Sequence, residues 1–97
     1  MIDLDAPAIY EKIIHETEAD QVRLVVNTFR DVEYMSLRKY YMDFDEEWKP
    51  TRQGVTMVLD FDNSRHLFEG LVEILSLAES KAILEDNFKD LLDEIYL

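Results

Sequence analysis

The chain has 97 residues, with 22 acids against 10 lysines and arginines and no cysteine. That length reads as one domain, and the missing cysteine excludes disulfides and thiolate metal sites. A formal net charge of −12, taken as one number, argues against nucleic-acid binding. No apolar run is long enough to span a membrane and no signal-peptide pattern is present, so a cytoplasmic or nucleoid-associated protein is expected, or a nuclear one in a eukaryote.

The charge is unevenly placed. Residues 1–20 set Lys12 against six acids, residues 21–57 balance six cations with six acids, and residues 58–97 set three cations against ten acids. A basic strip can therefore exist in the middle of an acidic whole. A domain of this size buries roughly 60–70% of its unfolded surface, so its core is modest and dimerisation would help it.

Residues 5–18 read as a short amphipathic helix, part of an acidic helical extension over 1–20. Asp5 is a candidate N-cap, Pro7 sits in the first turn, and Ile9, Ile13 and Ile14 form an apolar edge. Residues 22–30 alternate as a strand. Val22, Leu24, Val26 and Thr28 lie on the face expected to be buried, and Arg23, Val25, Asn27 and Phe29 on the other, where Phe29 is out of character. Residues 32–42 are β-branched and aromatic enough for a second strand, with a bulge possible at Tyr40-Tyr41-Met42.

A polar turn follows at 43–47. Residues 48–50 read as a short third strand or crossing loop, because Pro50 cannot donate to a central ladder. Gly54 marks a sharp turn, and residues 55–61 alternate as a fourth strand. Asp62, Asn63 and Ser64 read as a helix start. Leu67, Phe68, Leu71, Ile74, Leu75 and Ala78 then recur at helical spacing over 64–79, and Leu84, Phe88, Leu91, Leu92 and Ile95 do so over 81–96. The two stripes are out of phase, which means two helices or one bent helix broken near Glu79-Ser80. Strands in a run followed by helices argue an α+β domain with a four-stranded antiparallel sheet.

The run RKYYMDFDEEWKPTRQG at 38–54 sets Arg38, Lys39, Lys49 and Arg52 among Tyr40, Tyr41 and Trp48. It holds the pattern Arg-x-Tyr-aromatic-Met-Asp (Arg38, Tyr40, Tyr41, Met42, Asp43), then the acidic turn Asp45-Glu46-Glu47, then Lys-Pro-x-Arg-x-Gly (Lys49, Pro50, Arg52, Gly54) and an apolar strand. In this the chain resembles the positive cofactor four family, whose domain is a single-stranded-DNA-binding transcriptional coactivator module of Whirly-like fold. The spacing matches without gaps from Phe29 to Met57 and more loosely over 21–79.

The resemblance implies a curved four-stranded antiparallel sheet followed by a helix, here with extra N- and C-terminal helices, and a homodimer formed through the 64–79 helix. It implies that Phe29 and Tyr41 stack on bases, that Arg38, Lys49 and Arg52 meet phosphates beside a basic Arg30, and that Pro50 and Gly54 shape the loop. The chain departs from the pattern at Tyr41, where the family usually has Trp, at Gln53, where Lys is common, and at Asp20, near a position that tends to be basic. The acidic segments 1–20 and 80–97 lie outside it.

A single strand needs a positive groove for its backbone and exposed π faces for its bases, and each stack is worth about 1–3 kcal/mol by truncation. Distant acids are screened at physiological salt beyond about 8 Å, but those at 43–47 are close enough to weaken binding. Each residue also has a plainer reading. Phe29 could pack on a helix or a dimer partner, Tyr40 and Trp48 read as structural, and Arg38 and Arg52 could form surface ion pairs with Asp43 or Glu46. Residues 43–47 lack the glycine and terminal glutamate of a calcium loop, His15 and His66 have no partner ligands, and no nucleophile signature emerges. Neither cofactor, metal nor enzymatic activity is expected. The expected function is binding of single-stranded DNA or RNA with little sequence preference, as an accessory in transcription, replication or repair, with a transcription-machinery protein as a further partner. The alternative is an acidic protein-interaction module that shares the fold and has reduced or lost DNA binding.

Overall fold

The computed structural model describes residues 8–96. It contains β1 (Tyr10–Glu16), β2 (Asp20–Phe29), β3 (Val32–Met42), β4 (Trp48–Val58), α1 (Phe61–Ser76) and α2 (Lys81–Tyr96). The strands form one open antiparallel sheet in the order β1-β2-β3-β4, so the fold is α+β. Two compact units divide at Asn63/Ser64, the first holding the sheet and the second most of α1 and all of α2.

The first strand corrects the sequence reading. Where a helix was expected over 5–18, residues 10–16 pair with β2 from Tyr10↔Val26 to Glu16↔Gln21, and residues 5–7 lie outside the described part. Its three isoleucines fit either a helix edge or an extended segment. A helix this short is marginal alone, whereas extension satisfies the outer edge of β2. The residues expected to end the helix make the β1–β2 turn. Thr17 Oγ1 accepts from the Asp20 amide at 3.0 Å, and the Thr17 amide donates to the Asp20 carbonyl at 2.8 Å.

β2 and β3 fall where alternation placed them. They are joined by a two-residue turn in which Arg30 (φ 52°) and Asp31 (φ 64°) both take left-handed backbone. Two positive φ values match the type I′ turn that suits strand twist, an easy conformation for Asp and an uncommon one for Arg. The expected short strand at 48–50 and separate strand at 55–61 are instead one strand, β4, with an irregularity inside it. Arg38 pairs with Gly54 and Tyr40 with Pro50, so Thr51 to Gln53 face Lys39 alone. Pro50 and Gly54 therefore bound a bulge rather than breaking the strand.

Residues directly opposite one another share a sheet face. One face carries Gln21, Arg23, Val25, Asn27 and Phe29 from β2, and Tyr40, Arg38, Ser36, Tyr34 and Val32 from β3. The other carries Val22, Leu24 and Val26 against Lys39, Leu37 and Met35, with Val55 and Met57 beyond. The alternation of β2 and β3 holds, but most of the buried residues lie on the polar face, and Met35 is the buried residue of the apolar one. Gln21, Val25, Asn27, Ser36, Arg38 and Tyr40, all on the first face, are buried, while Leu37 and Val55 on the apolar face are exposed. Long arginine and tyrosine side chains lie along the first face and cover their small neighbours.

Both helices begin with a side-chain cap. Asp60 Oδ1 accepts from the Asn63 amide at 2.7 Å, which puts the cap two residues before the expected start at Asp62. Ser80 Oγ accepts from the Ile83 amide at 3.4 Å, at the break expected near Glu79-Ser80. α1 and α2 meet through Phe68 and Phe88, whose rings stand edge to face with centroids 6.1 Å apart. No residue of either helix is buried among those described.

Candidate nucleic-acid interface

The Lys49–Gly54 segment forms its bulge because side chains replace the missing ladder. Thr51 Oγ1 donates to the Lys39 carbonyl at 2.7 Å and accepts from the Gln53 amide at 3.1 Å. Arg38 Nη1 donates to the Thr51 carbonyl at 3.0 Å, and Nη2 donates to Thr56 Oγ1 at 3.1 Å. A Cβ on Gly54 would come within 2.7 Å of the Leu37 carbonyl oxygen, so the close approach of β3 and β4 requires glycine there.

Arg38 is buried, and both of its hydrogen bonds go to neutral oxygens. Among the described residues no carboxylate stands within ion-pairing distance of it. Arg23, on the same face, lies over the Tyr40 ring at 4.1 Å, donates from Nε to Gln21 Oε1 at 2.8 Å, and pairs with Glu11 at 3.4 Å. Burial, with help from the Glu11 charge, pushes the Tyr40 phenol above its ordinary pKa, against the opposing pull of Arg23 and Arg38. Ser36 Oγ is buried on this face without a hydrogen-bond partner. Phe29 closes the far end of the face, with the Arg30 guanidinium 5.1 Å from its ring centre.

The remaining site residues named from the sequence lie elsewhere. Tyr41 is exposed on the apolar face, directly opposite Asp20 on one side and Lys49 on the other. Lys49 is bound to Glu47 at 2.9 Å, and that hydrogen bond and charge raise its pKa. Arg52 is exposed in the bulge, and Pro50 stands opposite Tyr40. Phe29 and Tyr41 are thus on opposite faces of the sheet. They are also near opposite ends, since the residue facing Tyr41 is Asp20, nine positions before Phe29 on β2. At the strand rise this is about 30 Å. One protomer brings Phe29, Arg30 and Arg38 to one face, and Tyr41 and Lys49 to the other.

Arg23, Gln21, Asn27 and Ser36 were not named as site residues. Three of them share the odd-numbered phase of Phe29 on β2, and that phase was the signal available for them. Among the described residues no three His, Asp or Glu side chains come together as a metal site, and no helix is long and apolar enough to cross a membrane.

The sequence model of the Transcriptional Coactivator p15 (PC4) family matches residues 18–61, the segment from the end of the β1–β2 turn to the start of α1. Comparison with curated proteins gives no match. Among solved structures the chain is similar to the bacteriophage T5 homologue of the eukaryotic transcription coactivator PC4, a protein implicated in recombination-dependent DNA replication. The two share 32% identity over 84% of this chain and 93% of the phage chain, with a TM-score of 0.70. It is also similar in fold to a PC4 homologue from Burkholderia pseudomallei, at 21% identity over 77% of this chain and 90% of that one, with a TM-score of 0.51. The Arg38–Gly54 motif, the four-stranded sheet it builds and the phage relative's near-complete coverage agree, and the chain belongs to the PC4 family.

Proposed function

We propose that this protein binds single-stranded nucleic acid, DNA foremost, with little sequence preference, as an accessory of transcription, replication or repair. The observation that carries the reading is Arg38. A guanidinium that is buried among neutral oxygens, with no carboxylate in range, favours an anion beside it. A phosphodiester running along that face would also meet Arg23 and end at the Phe29 ring. Membership of the PC4 family and the replication role attached to the phage relative support the same reading. Nothing in this role calls for catalysis.

The division of the aromatics between two faces bears on the assembly. A strand touching Phe29 and Tyr41 of one protomer would have to wrap a sheet edge. A homodimer lets Phe29 of one protomer and Tyr41 of its partner serve the same strand. The helical unit supplies a surface for this, because Phe68, Leu71 and Ile74 of α1 are all exposed.

Fluorescence anisotropy of a labelled single strand of about 20 nucleotides tests the proposal, since each phosphate contact contributes about −0.7 to the slope of log affinity against log salt. Binding that weakens with salt is expected. Phe29→Ala with Tyr41→Ala should weaken it further, by roughly 1–3 kcal/mol per stack, with little change in Tm. Absence of binding at low salt would reject the reading.

A further inference from the structure

The β3–β4 turn presents a feature that nucleic-acid binding does not use. Phe44 at its tip is fully exposed. The turn that carries it is fixed by its own hydrogen bonds. Asp43 Oδ1 accepts from the Asp45 and Glu47 amides at 2.9 and 3.0 Å, and the Asp43 amide donates to the Glu47 carbonyl at 2.9 Å. Glu46 takes a positive φ of 59° to close it. A floppy loop could fold its aromatic back onto the sheet, but this one holds the ring outward. Half-exposed Tyr41 and half-buried Trp48 flank it at the same end of the sheet.

The charge around Phe44 selects among occupants. Asp43, Asp45, Glu46 and Glu47 surround it, and the two lysines nearest in sequence, Lys39 and Lys49, are already held by Asp20 at 3.7 Å and Glu47 at 2.9 Å. A phosphate chain would be repelled at this tip, so a nucleobase is disfavoured as the group stacked on the ring. A second copy of this chain is disfavoured too. Its helical unit has an open cavity of about 540 Å³ lined by Val72, Leu84 and Phe88, but Glu79 and Glu85 stand beside it, and its Lys81 is paired to Glu85 at 3.6 Å.

We infer that the β3–β4 turn is a protein-docking knob, in which Phe44 inserts into an apolar pocket rimmed by lysines or arginines of a partner protein, with Asp45, Glu46 and Glu47 meeting that rim. An exposed aromatic anchor inside a charged ring has the anatomy of an interface hot spot. The knob does not depend on the nucleic-acid reading. It would let the protein hold a strand on its sheet and a basic protein at the sheet's end.

The test is an NMR titration of the labelled full chain with two designed peptides of equal charge, one a leucine/lysine amphipathic helix and the other with serine in place of leucine. Saturable shifts centred on Phe44 and the 43–48 amides with the leucine peptide are expected, with affinity about tenfold weaker for the serine peptide and for Phe44→Ala. The variant should keep the wild-type Tm, because the ring packs on nothing. Equal affinity for both peptides, shifts centred on the acids of α1 and α2, or an unaffected Phe44→Ala would overturn the inference. So would shifts of the Phe44 ring on adding oligo-dT. Binding of that oligonucleotide at Phe29 and Arg38 is read separately in the same spectra, so failure of the knob and failure of the strand-binding site are distinguishable.

Discussion

Gly54 shows how closely one residue can be specified by its neighbours. With the Leu37 carbonyl oxygen 2.7 Å and the Arg38 Cα 3.2 Å from where a methyl would sit, both obstacles are backbone and neither can swing aside. Gly54→Ala should therefore destabilise the sheet by about 1–3 kcal/mol. Thermal unfolding followed by circular dichroism would show this as a fall of roughly 4–8 °C in Tm per kcal/mol for a domain of this size. Gly70, in α1, has nothing within 4 Å of the same position, so Gly70→Ala is the control and should not lower Tm. The motif made Gly54 visible in the sequence as a turn residue. Its actual task, allowing β3 and β4 to approach at the edge of a bulge, was not visible, because it depends on which residue of β3 lies across from it.

At the level of elements, what could be read from sequence depended on how local the deciding interaction was. β2 and β3 were legible because alternation is a property of the strand itself. β1 was not, because its Tyr10–Glu16 sequence tolerates helix and strand, and pairing with β2, distant in sequence, decides between them. β4 looked interrupted because Pro50 and Gly54 are breakers in isolation. Thr51 and Arg38 supply the hydrogen bonds that keep the strand whole, and no local pattern announces that. For the site, the motif named Arg38 and Tyr41 together, yet three residues apart on one strand they face opposite ways, as the register bears out. The β3–β4 connection also sets the charge available to the strand proposed to bind here. Glu47 holds the Lys49 ammonium and raises its pKa, so the lysine is charged at neutral pH but engaged. Glu47→Gln should release it. Tighter single-strand binding is expected, with the salt slope steeper by about 0.7 for one added phosphate contact. An unchanged slope in the anisotropy titration would show that Lys49 takes no phosphate.

On the scale of the whole molecule the charge of −12 is shared, −7 over residues 1–63 and −5 over residues 64–97, so the proposed strand-binding face rests on where its arginines lie and not on the net charge of its unit. α2 carries Glu85, Asp86, Asp90, Asp93 and Glu94, while Arg23, Arg30 and Arg38 all belong to the sheet unit. None of the described residues of the helical unit is buried, and its exposed Leu71 and Ile74 are where the proposed dimer would bury apolar area. Leu71→Asp with Ile74→Asp should convert a particle of twice the protomer mass into a single protomer in sedimentation velocity. It should also weaken single-strand binding, since in the proposed dimer the two aromatics of one binding path belong to different chains. A monomeric wild type would refute this arrangement.

The open order β1-β2-β3-β4 leaves the outer backbone of β1 and β4 without a strand partner among the described residues. Bare edges of this kind invite further chains to add on, which ends in fibrils or precipitate. Both edges here carry an irregularity, between Ile13 and His15 on β1 and across Thr51–Gln53 on β4, and β4 also lacks the Pro50 amide donor. An incoming strand would find no uninterrupted row of donors and acceptors on either side. Copies gathered on one strand by the proposed activity would then stay separate folded units.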